Sequence, residues 1–203
     1  MRKSKYLFTL LFIFLLFGAN AQKFRSGIKG GFNFSTLYID EVEDRQIRPG
    51  FHIGVFGQSP LSEAVALQTE LLFTTAGNRS IYSTGPFDGE IDFNINYLQL
   101  PIMLNFKIAD AFEIHVGPYA AYLIGANTSS EGDFGSSFSE LDRDNFQNFD
   151  FGLASGVGFN LDDLQVGVRY NLGFNEIAKS TTAKDLMGDS KNVVGQLYIA
   201  LGL

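Results

Sequence analysis

The chain of 203 residues contains no cysteine and no tryptophan. Without cysteine it can form neither a disulfide framework nor a thiolate zinc site, and it cannot carry a lipidated N-terminal cysteine. Basic residues are outnumbered by acidic ones, 15 to 22, so the formal net charge is −7. The basic surface typical of nucleic-acid-binding proteins is therefore absent, and we expect no nucleic-acid partner.

Long apolar runs are nearly absent, with one exception at Leu7 to Phe17, directly after three basic residues. Together with the small residues of Ala19-Asn20-Ala21, this order is typical of a secretory signal peptide. The run is too short to cross a bilayer as a helix, which needs about 20 residues. The sequence predicts a cleaved signal peptide at residues 1–21 and one exported domain at residues 22–203.

From Lys23 onward, apolar and polar residues alternate with a period of two, which is typical of β-strands with two different faces. Eight such runs lie near residues 23–35, 49–59, 64–77, 94–108, 112–122, 149–160, 164–172 and 193–203. The charged and histidine residues inside these runs all fall on the polar phase; they are Arg25, Lys29, His52, Glu70, Lys107, Glu113, His115, Asp150 and Arg169.

The connections between the runs alternate in length. Short turns are expected at residues 59–62, 109–111 and 162–163, and long polar loops near 36–48, 78–93, 125–148 and 175–191. In the last loop, Thr182 and Asp185 fit a helix capping box and Gly188 fits a helix end, which predicts a single helical turn.

Eight two-faced strands joined in this way hide their edges completely when they close into a barrel. The alternation alone does not say which face points outward, because soluble and membrane barrels share it. Alternating loop lengths, runs of about 10–13 residues and glycines concentrated on the charged phase favour the membrane. The prediction is an all-β, eight-stranded antiparallel up-and-down transmembrane β-barrel.

In such a barrel the nine charged and histidine residues form an interior polar network with a structural role. Its positive and negative charges nearly cancel, so we expect paired side chains and no open water channel. Glycines on the same phase would make room for the large interior side chains, because a barrel of eight strands is just wide enough for side chains to fill.

Short segments across nearly the whole exported domain are familiar from one barrel family; they are Gly27-Ile28-Lys29-Gly30-Gly31-Phe32-Asn33, 50–56, Leu61-Ser62-Glu63, 67–73, 97–101, Gly117-Pro118-Tyr119, Phe151-Gly152-Leu153 and 169–173. In these segments the chain resembles the PorT-like outer-membrane β-barrels of Bacteroidetes-type Gram-negative bacteria. The resemblance implies an outer-membrane barrel with both termini in the periplasm, and some relatives are linked to protein secretion and gliding. Its implied partners are outer-membrane lipid and the assembly machinery, although the chain ends at Leu203 without the terminal aromatic residue that this machinery often reads.

The sequence predicts no catalytic, cofactor or metal site. Neither His52 nor His115 has an acidic residue at a usual metal-ligand spacing, and no serine lies near His115. Gly27, Gly30 and Gly31 match neither phosphate-loop nor dinucleotide spacing. The acidic long loops are expected to be solvated, with a protein or glycan partner as their recognition target.

The function predicted from these features is a non-enzymatic outer-membrane barrel with a structural, adhesive or envelope-transport accessory role. Three alternatives stay open. The chain is an accessory barrel of a secretion machine, a barrel enzyme that modifies lipid A, or a soluble periplasmic lipid-binding barrel in which the two faces are reversed.

Overall fold

A computed structural model describes residues 24–38, 47–84, 87–109, 111–132, 137–140, 146–179 and 190–203. The expected signal peptide at 1–21 and the expected helical turn from Thr182 to Gly188 lie outside these residues. Among the described residues, no helix is long and apolar enough to cross a membrane.

The described chain forms nine β-strands: β1 Arg25–Tyr38, β2 Arg48–Pro60, β3 Val65–Thr84, β4 Phe87–Ala109, β5 Phe112–Gly132, β6 Ser137–Glu140, β7 Phe149–Leu161, β8 Leu164–Gly173 and β9 Lys191–Gly202. Every pairing between them is antiparallel. The eight predicted runs correspond to all strands except the short β6.

The sheet closes on itself. β1 pairs with both β2 and β9, and β5 pairs with both β4 and β7, so eight strands form a continuous ring. Among the described strands, the short β6 pairs only with the far part of β5. The predicted eight-stranded antiparallel barrel is confirmed, and closure leaves no free sheet edge around the barrel wall.

The two faces of the barrel wall differ sharply in polarity. Apolar side chains point outward and are largely exposed, as at Phe32 (65%) and Ile53 (60%), whereas Lys29, Glu70 and Arg169 are buried inside. In water this arrangement would expose a continuous apolar band, but in a bilayer it places that band against lipid. The lumen of the described barrel is therefore polar, which contradicts the alternative of a soluble lipid-binding barrel with an apolar lumen.

One end of the barrel, the turn end, carries the three short turns and both described chain ends. There the Leu203 N–H donates to the Ser26 carbonyl at 2.8 Å, and the Gly202 N–H donates to the Asp163 carbonyl at 2.8 Å. Asp162 adopts a positive φ of 53°, which allows the tight β7–β8 turn. These contacts close the turn end across β1, β9 and the β7–β8 turn.

At the opposite end, the loop end, three strands continue well beyond their neighbours. β3, β4 and β5 have 20, 23 and 21 residues, whereas β2 and β7 have 13 each. The expected loop at 78–93 is instead a β3–β4 hairpin paired from Asn78↔Phe93 to Thr84↔Phe87, with Arg79 Nε donating to Asp92 Oδ1 at 2.8 Å. A strand outside the membrane has no face that must contact lipid, so its sequence need not alternate between apolar and polar residues. The alternation therefore did not predict this hairpin.

The loop end is also closed by parts of the chain that the sequence suggested were solvated loops. Phe146 and Ala178 form an isolated bridge, and the Gln147 N–H donates to the Ile177 carbonyl at 2.9 Å. Phe146 and Ile177 are buried in an apolar cluster with interior residues of β4 and β5. These two segments therefore lie across the lumen rather than in solvent.

Candidate functional site

The centre of the lumen holds three ionised side chains from three strands. Glu70 of β3 accepts hydrogen bonds from Lys29 Nζ of β1 at 3.0 Å and from both terminal nitrogens of Arg169 of β8 at 2.7 and 2.8 Å. All three side chains are almost completely buried. The bidentate arginine–carboxylate geometry is a strong form of this interaction, so this ion cluster joins distant strands of the barrel.

Tyr198 of β9 completes the ion cluster with an aromatic face. Lys29 Nζ lies 3.7 Å from the ring centroid, and Arg169 Cζ lies 5.7 Å from it. The Tyr198 hydroxyl donates to Gln165 Oε1 at 3.1 Å. A cation over an aromatic face is stabilised by the ring quadrupole, most strongly when water is excluded.

A second buried carboxylate, Glu113, lies nearer the turn end and is held by amides. Its Oε1 accepts from Asn105 Nδ2 at 2.9 Å and from Gln165 Nε2 at 2.8 Å, and its Oε2 accepts from Asn160 Nδ2 at 3.4 Å. The sequence suggested an ion-pair role for both Glu70 and Glu113. Only Glu70 has that arrangement here, and Glu113 is stabilised by neutral donors.

The two histidines are buried at separate places in the network. The His52 Nδ1 and Asn33 Oδ1 atoms are 2.7 Å apart, and His115 packs edge-on against Tyr198 with ring centroids 5.9 Å apart. Within the described ranges, no three His, Cys, Asp or Glu side chains are grouped as metal ligands would be. Both rings therefore lie among buried polar side chains of the lumen, and their structural role stays a prediction.

Asp150 lies apart from the ion cluster, towards the loop end. The Tyr119 hydroxyl donates to its Oδ2 at 3.3 Å, and Asn192 Nδ2 donates to the same oxygen at 2.9 Å. Asn192 Nδ2 also contacts the Tyr97 hydroxyl at 3.2 Å. Among the described residues, Asp150 forms no ion pair, so neutral donors alone stabilise this carboxylate.

Two of the nine expected network residues lie at the barrel rim instead of among the buried side chains. Arg25 is half-buried at the turn end, where its Nη2 donates to the Asp163 carbonyl at 2.7 Å. Lys107 is exposed at the end of β4, where the pairing with β5 shifts register between Lys107 and Ala109. The expectation for these two is wrong because both lie at the barrel rim, where the alternation no longer separates lumen from lipid.

Sequence reasoning missed the neutral members of the network. Asn33, Asn105, Gln165, Tyr119 and Tyr198 are buried and provide many of its hydrogen bonds. They lie on the same polar phase as the charged residues, and that phase is the signal that could have found them.

Interior glycines make the space that these large side chains occupy. A Cβ at Gly167 would lie 2.5 Å from the Tyr198 hydroxyl, and a Cβ at Gly156 would lie 2.5 Å from His115 Nε2. The predicted link between glycine and bulky interior side chains thus has a direct structural counterpart.

The substitution Gly167→Ala is expected to lower the free energy of unfolding by about 1–3 kcal/mol, because the new methyl group overlaps Tyr198 and the Val157 carbonyl. Gly195→Ala is the matched control, since the nearest atom to a Cβ there is the Phe34 carbonyl oxygen at an ordinary 3.7 Å. Urea unfolding of both refolded variants measures the difference. Equal unfolding midpoints would contradict the packing role of Gly167.

Comparison with known proteins agrees with this architecture. One similar solved structure is that of Ail, the attachment invasion locus protein of Yersinia pestis, in complex with the heparin analogue sucrose octasulfate. Its sequence is 14% identical to this chain, the alignment covers 90% of this chain and 100% of that chain, and the TM-score is 0.50. Neisserial surface protein A is 12% identical, with 87% and 96% covered and a TM-score of 0.45. The N-terminal β-barrel domain of Pseudomonas aeruginosa OprF is 9% identical, with 88% and 97% covered and a TM-score of 0.41. A comparison with curated proteins finds no match.

Residues 20–179 match the family described as outer membrane protein beta-barrel domain. The match covers most of the chain and all strands except β9, which closes the ring against β1. The closed barrel with its outward-facing apolar side chains fits this family description. The chain therefore belongs to the outer membrane protein beta-barrel domain family.

Proposed function

We propose that this barrel is a non-enzymatic membrane anchor that presents a projecting β-sheet at the cell surface for adhesion to proteins. One observation carries the proposal: β3, β4 and β5 continue past the rest of the barrel, and β6 adds a fourth strand to their sheet. From Gly77 to Thr84, β3 extends over about 25 Å. A rigid support for a recognition surface is a common use of a β-barrel.

The projecting sheet offers an edge to which a partner strand can bind. The pairing of β3 with β2 ends at Thr74↔His52, and beyond it the opposite edge of β3 pairs with no described strand. Unpaired N–H and C=O groups on such an edge recognise an extended peptide by adding it to the sheet. Native soluble proteins usually cover or disrupt such edges, so an edge in this position supports a docking role.

Charge favours a basic partner. The four long connections, residues 36–48, 78–93, 125–148 and 175–191, together contain fifteen acidic and seven basic residues. Ail binds a heparin analogue, which is a polyanion. The acidic connections of this chain would repel a polyanion, so the proposed partner is a protein with a basic surface and an accessible strand.

The filled lumen supports a role without transport or catalysis. The ion cluster, the amides around Glu113 and the Phe146–Ala178 bridge occupy successive levels of the barrel. Both histidines are buried in the lumen, away from the lipid-facing side on which a lipid-A-modifying enzyme would need its base. We therefore propose that the protein neither conducts ions nor modifies lipid.

The proposal includes the route to the membrane. A signal peptide at residues 1–21 would direct export, and residues 22–203 would then assemble in the outer membrane with the help of the assembly machinery. The narrower likeness to PorT-like barrels, and with it an accessory role in protein secretion, stays a prediction. Deleting the gene and assaying secreted proteins tests that role.

Shortening the projecting hairpin tests the adhesive function. In this variant an Asn-Gly turn replaces residues 78–93 and joins Gly77 to Asn94, which are already register partners. Attachment of bacteria to protein-coated surfaces is expected to fall at least about tenfold relative to the parent chain, because strand addition uses the removed edge. The barrel itself should still migrate differently in gels before and after boiling.

The matched control exchanges the ion-paired residues of the same hairpin, as Arg79→Asp with Asp92→Arg. It keeps the net charge, the hairpin length and the opposite charges of the pair. We expect this variant to attach like the parent chain. Unchanged attachment after removal of the hairpin would contradict the proposed function.

A further inference from the structure

The lumen contains a small cavity between the ion cluster and the segments that close the loop end. Its volume is about 20 Å³, and its lining includes Gln99, Asp150, Asn171, Asn192 and the two phenols Tyr97 and Tyr119. A cavity of this size holds one water molecule or one ion of similar size. Its polar residues come from β3, β4, β5, β7, β8 and β9, so this cavity lies where most strands of the barrel meet.

Four of the lining residues each present a side-chain oxygen that accepts no hydrogen bond from a described residue. These atoms are Gln99 Oε1, Asp150 Oδ1, Asn171 Oδ1 and Asn192 Oδ1. All four residues are at least nine-tenths buried. Buried oxygens without partners are costly, and four around one cavity point to a shared binding role.

Two nearby donors are already used, which fixes the orientation of Asp150 and Asn192. The Tyr119 hydroxyl and Asn192 Nδ2 both bind Asp150 Oδ2, and this leaves Asp150 Oδ1 open. Because its nitrogen faces a carboxylate, the Asn192 amide must present its oxygen elsewhere. A Cβ at Gly173 would lie 3.1 Å from Asp150 Oδ1, so glycine there keeps the surroundings of this oxygen open.

The chemistry of the four oxygens selects a cation over a water molecule. A water has two protons to donate and can satisfy only two of four acceptors, whereas a metal ion binds all of them. The set contains no nitrogen or sulfur ligand, which selects a hard cation.

The charge of the site selects the valence of the ion. Asp150 contributes a single negative charge and the three amides contribute none. A monovalent ion therefore makes the site neutral, whereas a divalent ion would leave a net positive charge buried in the lumen.

We propose that this cavity is a sodium-binding site formed by Gln99, Asp150, Asn171 and Asn192. Sodium fits a water-sized space, whereas larger alkali ions fill it less easily. The bound ion would join β4, β7, β8 and β9 at the level just below the Phe146–Ala178 bridge. It would supply the positive partner that Asp150 lacks among the described side chains.

Thermal unfolding of the refolded full barrel in two salts tests the site. In sodium chloride the midpoint is expected about 5 °C higher than in choline chloride of the same ionic strength, because sodium binds only the folded state. In Asp150→Asn this difference should vanish. The control Glu176→Gln lies at the loop end outside the cavity and should keep the full difference.

A second variant changes the preferred ion instead of removing the site. Asn171→Asp adds another carboxylate to the same oxygens, so calcium chloride should stabilise this variant and not the parent chain. A crystal of the unmodified chain grown in sodium chloride supplies an independent readout. A density peak within ligand distance of all four oxygens is expected.

One contrary result is that the parent chain unfolds at the same temperature in sodium chloride and choline chloride, and that Asp150→Asn is more stable than the parent. This would mean that a water molecule and a neutral carboxyl group occupy the cavity, and it would overturn the proposal. A sodium effect that persists unchanged in Asp150→Asn would place the ion elsewhere and would also overturn it. A crystal grown in sodium chloride without a density peak among the four oxygens would overturn it in the same way.

Discussion

Replacing Glu70 with glutamine is expected to destabilise the barrel by about 3–5 kcal/mol, because Lys29 and Arg169 would then remain as two buried cations without their ion-pair partner. The urea unfolding midpoint of the refolded barrel measures this loss. Lys107→Gln is the matched control, since it also removes one charge but from an exposed side chain at the rim. That control is expected to change stability by less than about 0.5 kcal/mol.

A second variant separates the ion cluster from simple packing. Replacing all three members together, as Lys29→Met, Glu70→Leu and Arg169→Met, removes every charge of the ion cluster while it keeps the volume filled. We expect this triple variant to be more stable than Glu70→Gln alone, because no charge is left unpaired. If Glu70→Gln and Lys107→Gln unfolded at the same urea concentration, the ion cluster would not stabilise the barrel.

An arginine at Val168 is expected to cost about 2–4 kcal/mol, the penalty for a cation on the lipid face near the bilayer midplane. Val168 is half exposed on the outer face of β8, between Val157 and Leu197 on the neighbouring strands. The free energy of unfolding in lipid vesicles measures the penalty.

The control for membrane depth in this prediction is Ile108→Arg. Ile108 is also exposed on the outside, but it lies at the turn end next to the last pairing of β4 with β5. Here we expect a cost of about 0–1 kcal/mol, because an arginine can reach the headgroups. Equal small costs at both positions would mean that Val168 faces water.

The sequence was enough to predict which face of each strand is polar. Side chains of a strand alternate strictly, so the phase of Lys29, Glu70 and Arg169 places all three on one face. That the three meet in one cluster was not predictable, because their levels along the barrel axis depend on strand register and stagger. The alternation along a strand shows whether a side chain faces the lumen or the outside. Only the strand register shows its position along the barrel axis.

The errors have the same physical origin. Arg25 and Lys107 lie on the strand face that points into the lumen elsewhere. Their position along the barrel axis is at the rim, where both faces of the strand contact water. The hairpin at 78–93 lies beyond the apolar band, and a strand there lacks the alternation that lipid imposes. The burial of Phe146 and Ile177 depends on a long-range bridge that no local pattern records.

The apolar face of this barrel contacts lipid, while its polar lumen is filled by side chains. Because the chain has no cysteine, single cysteines at Leu197 and Ala154 carry one label each without background. Leu197 points outward and Ala154 is completely buried inside. The most direct test is labelling of Leu197→Cys and Ala154→Cys with an environment-sensitive fluorophore in vesicles whose lipid tails carry bromine. We predict strong quenching at Leu197→Cys and no labelling at Ala154→Cys until the barrel is denatured. An unquenched label at Leu197→Cys, together with ready labelling at Ala154→Cys, would contradict the claim.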